Sequence, residues 1–183
     1  SGIATAVKLK EAGISYTVIE KNAEVGGTWF ENTYPGCRVD SPNHTYSYSF
    51  APTDWPQYYS SQPVLLEYFK SVATDFGIRD SIRFDTEVKQ ALFNEASGLW
   101  EVVVLADGEE QTLVANAVIS AVGQLNRPRI PDIKGAEDFN GPSFHSGCWE
   151  HEHDLRDKNV AVIGTGASAF QFVPLVAREA RQV

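Results

Sequence analysis

Residues 160–169 restrict this chain more than any other stretch. Val160-Ala161-Val162-Ile163 is an unbroken apolar run that passes directly into Gly164-Thr165-Gly166-Ala167-Ser168-Ala169. An apolar strand, a G-x-G-x-x-A turn and a helix, in that order, make a phosphate-binding unit. The first glycine allows the tight turn, the second lets backbone approach a pyrophosphate, and the small third residue lets helix and strand pack closely. The helix N-terminus adds free N–H donors and partial positive charge. Such a strand is buried on both faces, which predicts an α/β fold built on a parallel sheet. The competing reading is a glycine turn that holds nothing.

A fainter copy of the pattern opens the chain. Ile3, Ala6 and Val7 recur at helical spacing up to Gly13, a predicted C-cap, and the apolar run 16–19 ends at Glu20. If Gly2 is the third glycine of a second fingerprint, Glu20 falls where an acidic residue accepts hydrogen bonds from ribose hydroxyls. A solvated glutamate after a strand would look the same. A helix feeding a buried parallel strand normally follows an earlier strand, so one is expected upstream of Ser1.

Composition excludes several classes. A chain of 183 residues with 43% hydrophobic content can build one or two packed cores without a metal or disulfide staple. A net charge of -9 disfavours nucleic acid and anionic membrane surfaces as partners. Cys37 and Cys148 form no CxxC pair, which fits a reducing cytoplasm. The longest uncharged run, 159–177, is split by Gly164 and Gly166 and is expected to be strand, turn and helix rather than a membrane span. No signal peptide is evident, and the sequon at Asn43 is expected to be accidental.

Between the two glycine units the chain alternates in character. Residues 22–63 are rich in Gly, Pro, Asn and aromatics, and predict an ordered loop over a pocket. A helix is predicted over 63–77, short strands over 82–84 and 87–93, and a hairpin of 99–105 and 111–115 about Asp107-Gly108. Residues 117–122 form a continuous apolar run stopped by Gly123, and predict a buried strand. Proline and glycine punctuate a linker over 127–157, after which a strand at 159–163 leads into a helix running to Arg181.

Two longer patterns go beyond generic nucleotide binding. Gly26-Gly27-Thr28-Trp29 is followed by Tyr34-Pro35-Gly36 and then Asp40, and the linker carries Phe139, Gly141, His145 and Trp149. In these residues the chain resembles the Baeyer-Villiger monooxygenases, whose signatures are [AG]GxW-x4-[FY]P[GM]-x3-D and FxGxxxHxxxW. The one departure is Glu150, where the family usually has Pro or Asp. The resemblance implies two Rossmann-like domains with a small inserted β-meander, in a chain cut at both ends. Residues 1–126 would bind FAD through Gly2, Glu20, Gly26, Gly27, Thr28, Trp29, Tyr46, Val88, Gly123 and Gln124. Residues 158–183 would begin an NADPH domain through Gly164, Gly166, Ala167, Ser168, Ala169 and Gln171. Phe139, Gly141, His145 and Trp149, in the linker over 127–157, would couple the two. Asp40 would be the catalytic residue, orienting a cation near the reacting oxygen; the family's arginine for that task lies outside this chain. The implied chemistry is the insertion of one atom of O2 beside a ketone carbonyl, through a flavin peroxide, to give an ester or lactone.

Three rival readings stand beside it. A flavin-containing monooxygenase acting on nitrogen or sulfur shares the fold, a flavin disulfide reductase lacks support without a CxxC, and a non-catalytic nucleotide-binding module fits the fragment alone. His145, Cys148, His151 and His153 mimic a zinc cluster, but C-x2-H-x-H is not a structural zinc spacing and no metal site is expected. Glu24, Glu31 and Asp54 are expected to be solvated, and Arg38 is a candidate partner for Asp40.

Overall fold

The computed structural model describes all of residues 1–183. In chain order the elements are α1 (Gly2–Glu11), β1 (Val18–Ile19), α2 (Thr28–Glu31), α3 (Gln62–Asp75), β2 (Ile82–Arg83), β3 (Thr86–Asn94), β4 (Leu99–Ala106), β5 (Glu109–Ala115) and α4 (Ala167–Val176). The chain is α/β. By compactness it divides into two units, one of residues 1–27 and 67–124, the other of 28–66 and 125–183.

In the first unit both longer helices stop for local reasons. Gly13 adopts φ +67°, its N–H donates to Lys10 O, and the N–H of Ile14 reaches back to Leu9 O at 3.0 Å. Gly77 (φ +60°) and Ile78 repeat this motif at the end of α3, donating to Thr74 O and Ala73 O. Both are the Schellman arrangement, which satisfies carbonyls the helix leaves unpaired. Lys10 Nζ donates to Phe76 O and Gly77 O at 2.9 and 2.7 Å, placing a cation at the negative end of α3. Ala6, Val7, Val72, Ala73 and Ile78 are buried in this unit.

β1 and β2 pair in parallel, Val18 with Ile82 and Ile19 with Arg83. β3, β4 and β5 form an antiparallel meander whose second turn is the two-residue loop Asp107-Gly108, both with positive φ (52° and 80°). That is the type I′ geometry whose twist matches the flanking strands. A register shift between Val88 and Gln90 leaves Lys89 out of the β3–β4 ladder.

Several expectations are corrected. No strand forms over 117–122: the segment has no ladder, and Ile119 and Val122 are exposed. A strand exists only with a hydrogen-bonded neighbour, and none within the chain offers itself. Over 159–163 the same holds, except for one parallel bridge between Asn159 and Gln182. The last helix ends at Val176 rather than Arg181, three turns in length, with Pro174 inside it. The aromatic-rich segment, expected to be loop throughout, contains the short helix α2.

In the second unit, residues 37–43 run antiparallel to 58–62 through Val39 N–H to Ser60 O, Asn43 N–H to Tyr58 O and Gln62 N–H to Cys37 O. Asn43 is fully buried and its Oδ1 accepts the Ser60 N–H at 2.6 Å. Trp29, Tyr34, Cys37, Val39, Leu65, Phe172 and Val176 are the apolar side chains this unit buries.

Candidate functional site

Among the predicted cofactor residues of the first unit, Gly26, Gly27 and Gly123 sit at positive-φ reversals. Gly26 and Gly27 have φ +128° and +53°, which L side chains avoid, and a Cβ on Gly27 would meet nothing within 4 Å. Gly123 (φ +75°) is likewise open, with Gln124 exposed beside it. Gly2 opens α1, and a Cβ there would rest 3.7 Å from Ala121. Glu20 follows β1; one carboxylate oxygen accepts the Asn22 N–H at 2.9 Å. Val88 is an exposed β3 residue at the bulge.

Glu24 was expected at the solvated surface, and the structure corrects this. Its side chain is only 18% exposed and takes two contacts from Arg79, at 2.8 and 3.2 Å, plus the Val25 N–H. Arg79 also stacks on Phe84, 5.3 Å from the ring centroid. Burial pushes the Glu24 carboxyl up, but the hydrogen bonds from Arg79 and Val25 and the nearby positive charge outweigh it and hold the group below its ordinary value. The pair fixes the chain two residues before Gly26. Sequence missed it because the partners are 55 positions apart.

In the second unit, Thr28 opens α2 and Trp29 is buried. The indole Nε1 donates to Tyr46 Oη at 3.0 Å with the rings edge-on, and Gln62 Nε2 donates to the Trp29 carbonyl. Tyr46 is 39% exposed, so the pair presents one ring to the outside. Asp40 is exposed. Arg38 turns to the Gly36 carbonyl (3.4 Å) rather than to Asp40.

The strand-turn-helix unit at Gly164 lies here as well. Gly164 has φ +116°, and neither it nor Gly166 would bring a Cβ within 4 Å of another atom. The N-terminus of the ten-residue α4 therefore opens onto free space, with Ala167 exposed and Ser168 and Ala169 half-buried. An open groove of about 820 Å³ runs beside it, lined by Val160, Val162, Gly164, Thr165, Phe170 and Val173 among others. Gln171, predicted on the same cofactor, spends its amide on protein: Oε1 accepts from Tyr34 Oη and Arg38 N–H, and Nε2 donates to Arg38 O. Burial pushes the Tyr34 hydroxyl up to about 12, and pushes the Cys37 thiol up as well.

The linker residues pack in this unit. Phe139 closes over Gly141, where a Cβ would come within 2.6 Å of the ring, and this accounts for the glycine two positions on. The Gly147 N–H donates to His145 Nδ1 at 3.0 Å and tightens the turn before Trp149. Trp149 lies edge-on to Phe144 and Phe172, and His151 Nε2 bonds Thr33 Oγ1 at 2.9 Å. Of the histidine and cysteine cluster, only His153 joins Glu150 and Glu152 with ligand atoms within 4.8 Å; His145 and Cys148 do not. No helix is long and apolar enough to cross a membrane.

A glycine turn opening onto the N-terminus of α4, in a chain of the α/β class, is the local arrangement that dinucleotide-binding folds use. The chain belongs to the flavin-binding monooxygenase-like family, whose model matches residues 1–183. It is 45% identical over 177 residues to a Baeyer-Villiger monooxygenase of Streptomyces coelicolor, covering 96% of this chain and 33% of that protein. Among solved structures it resembles OTEMO in complex with FAD and NADP (TM-score 0.89, 38% identity, 98% of this chain and 36% of that one). It also resembles cyclohexanone monooxygenase from Rhodococcus bound to NADP+ (TM-score 0.87, 36% identity, 98% and 34%). The chain thus spans about a third of the length of these relatives.

Proposed function

We propose that this chain supplies the FAD site and the opening of the NADPH site of a Baeyer-Villiger monooxygenase. The carrying observation is the open N-terminus of α4 beneath Gly164 and Gly166, in the same compact unit as the signature turn leading to Asp40. On this reading residues 1–126 and 158–183 belong to two Rossmann-like domains, 127–157 join them, and the free thiols of Cys37 and Cys148 suit a reducing cytoplasm.

Bound FAD, reduced by NADPH, would supply the electrons that activate O2 for transfer to a ketone. The protein's share is placement. The N-termini of α1 and α4 would direct N–H groups and positive dipole ends at the pyrophosphates, and Glu20 would accept from ribose hydroxyls. Gly26 and Gly27 would let backbone approach the flavin, and Trp29 and Tyr46 would help to shield it from water. Asp40 would orient a cation toward the site where oxygen reacts.

The test is the full-length gene product: flavin content, then NADPH oxidation with a cyclic ketone and a thioether offered together. Ester or lactone is expected. Colourless protein that refuses FAD, or sulfoxide as the sole product, refutes the assignment.

A further inference from the structure

Both polar ends of the Gln171 amide are engaged within the second unit. Tyr34 Oη and Arg38 N–H donate to its Oε1 at 2.9 and 3.1 Å, and its Nε2 donates to Arg38 O at 3.0 Å. A primary amide that meets both the N–H and the C=O of one residue reproduces a rung of a β-ladder, so α4 holds the signature turn by its backbone. Gly36 brings the turn against the same helix. At φ +76°, an added Cβ would lie 2.9 Å from Gln171 O and 2.8 Å from Leu175 Cδ1. Tyr34 packs edge-on to Phe172 at 6.1 Å, one residue further along α4. These contacts make the helix and the turn one body, and Asp40 leaves that turn two residues after Arg38.

We propose that Gln171 is a positioning residue, a latch through which nucleotide bound at the Gly164–Ala169 turn sets the placement of Asp40. The nucleotide's identity rests on the function proposed above; the latch itself rests on the amide geometry. A pyrophosphate on the N-terminus of α4 fixes that helix, and the three hydrogen bonds pass the constraint to the backbone of residues 34–40. By linkage, an ordered turn raises nucleotide affinity by the same factor.

The test uses full-length holoenzyme with NADP+ as probe, calorimetry for binding and hydrogen exchange for residues 34–40. In the wild type NADP+ should slow exchange across 34–40 by about tenfold, an ordinary coupling strength. Gln171→Leu should lose the exchange response and weaken NADP+ binding by no more than the coupling it removes, up to about tenfold. Gln171→Glu keeps the acceptor and loses the donor, so part of the response should survive. Loss of more than about tenfold in NADP+ affinity with Gln171→Leu would make Gln171 a cofactor contact and overturn the latch. So would an undiminished exchange response. If Gln171→Leu does not fold, Tyr34→Phe removes one of the three bonds and must still weaken the response; an unchanged response refutes the proposal. A wild type that binds no NADP+ removes the nucleotide reading and the coupling together, whereas binding without change at 34–40 removes the latch alone.

Discussion

Replacing Glu24 by Gln tests whether an ion pair anchors the loop that ends in Gly26-Gly27. The carboxylate is 18% exposed and its partner Arg79 35%, with contacts of 2.8 and 3.2 Å. Exposed pairs contribute about 0.2–1 kcal/mol, while removing one member of a buried pair costs about 3–5 kcal/mol. A pair of intermediate exposure falls between, at about 1.5 kcal/mol, which in a full-length protein about three times as long as this chain lowers Tm by about 1–2 °C. The pH dependence has a definite sign. Because the folded pKa lies below the unfolded value of 4.5, the pair's contribution is present above that value and is lost as pH falls through the folded pKa. Thermal unfolding of wild-type and Glu24→Gln full-length protein at pH 7 should therefore show the full difference, and the two curves should converge in acid. Adding Arg79→Met to Glu24→Gln should cost less than the same change in the wild type. No measurable Tm shift at pH 7, or one that does not diminish as the pH is lowered through the acid range, would refute the reasoning.

Gly166→Ala should leave Tm within about 1 °C, since φ is -73° and the space is open, yet weaken NADP+ binding at least about tenfold by blocking close backbone approach; calorimetry reads both outcomes. Gly36→Ala should cost about 2–4 kcal/mol, combining a positive φ with a clash against the α4 backbone, and would appear as a large drop in Tm. Tyr34, pushed up to about 12 mainly by burial, stays neutral in the folded protein while the unfolded chain ionises near 10. Stability should accordingly decline between these values, and Tyr34→Phe should flatten that part of an alkaline unfolding profile. Asp40→Ala should cut ester formation by about a hundredfold or more with FAD content retained; equal yields would remove Asp40 from the site.

The features legible in the sequence are those decided within a few residues. Gly13 and Gly77 end their helices because only a left-handed residue closes the Schellman motif, and Asp107-Gly108 sets the hairpin because a type I′ turn needs two positive φ angles. The turn at Gly164 is legible for the same reason. Residues 117–122 and 159–163 read as strands from their apolar runs, but a ladder depends on a neighbour that no local pattern specifies. The pairing of Glu24 with Arg79 and the engagement of Gln171 with Tyr34 and Arg38 were invisible for a related reason. Each joins residues 55 to 137 positions apart through side chains whose types are common on surfaces.

The bare ribbon at 117–122 has a practical consequence. Val118, Ile119, Val122 and the following Leu125 are exposed by 40% to 74%, on backbone whose N–H and C=O groups have no ladder to join. A flat, uncharged template of this kind recruits copies of itself edge to edge. Produced in isolation, these 183 residues are expected to self-associate through that stretch. A charged substitution at Ile119 is therefore the first change to make in preparing them as a soluble fragment.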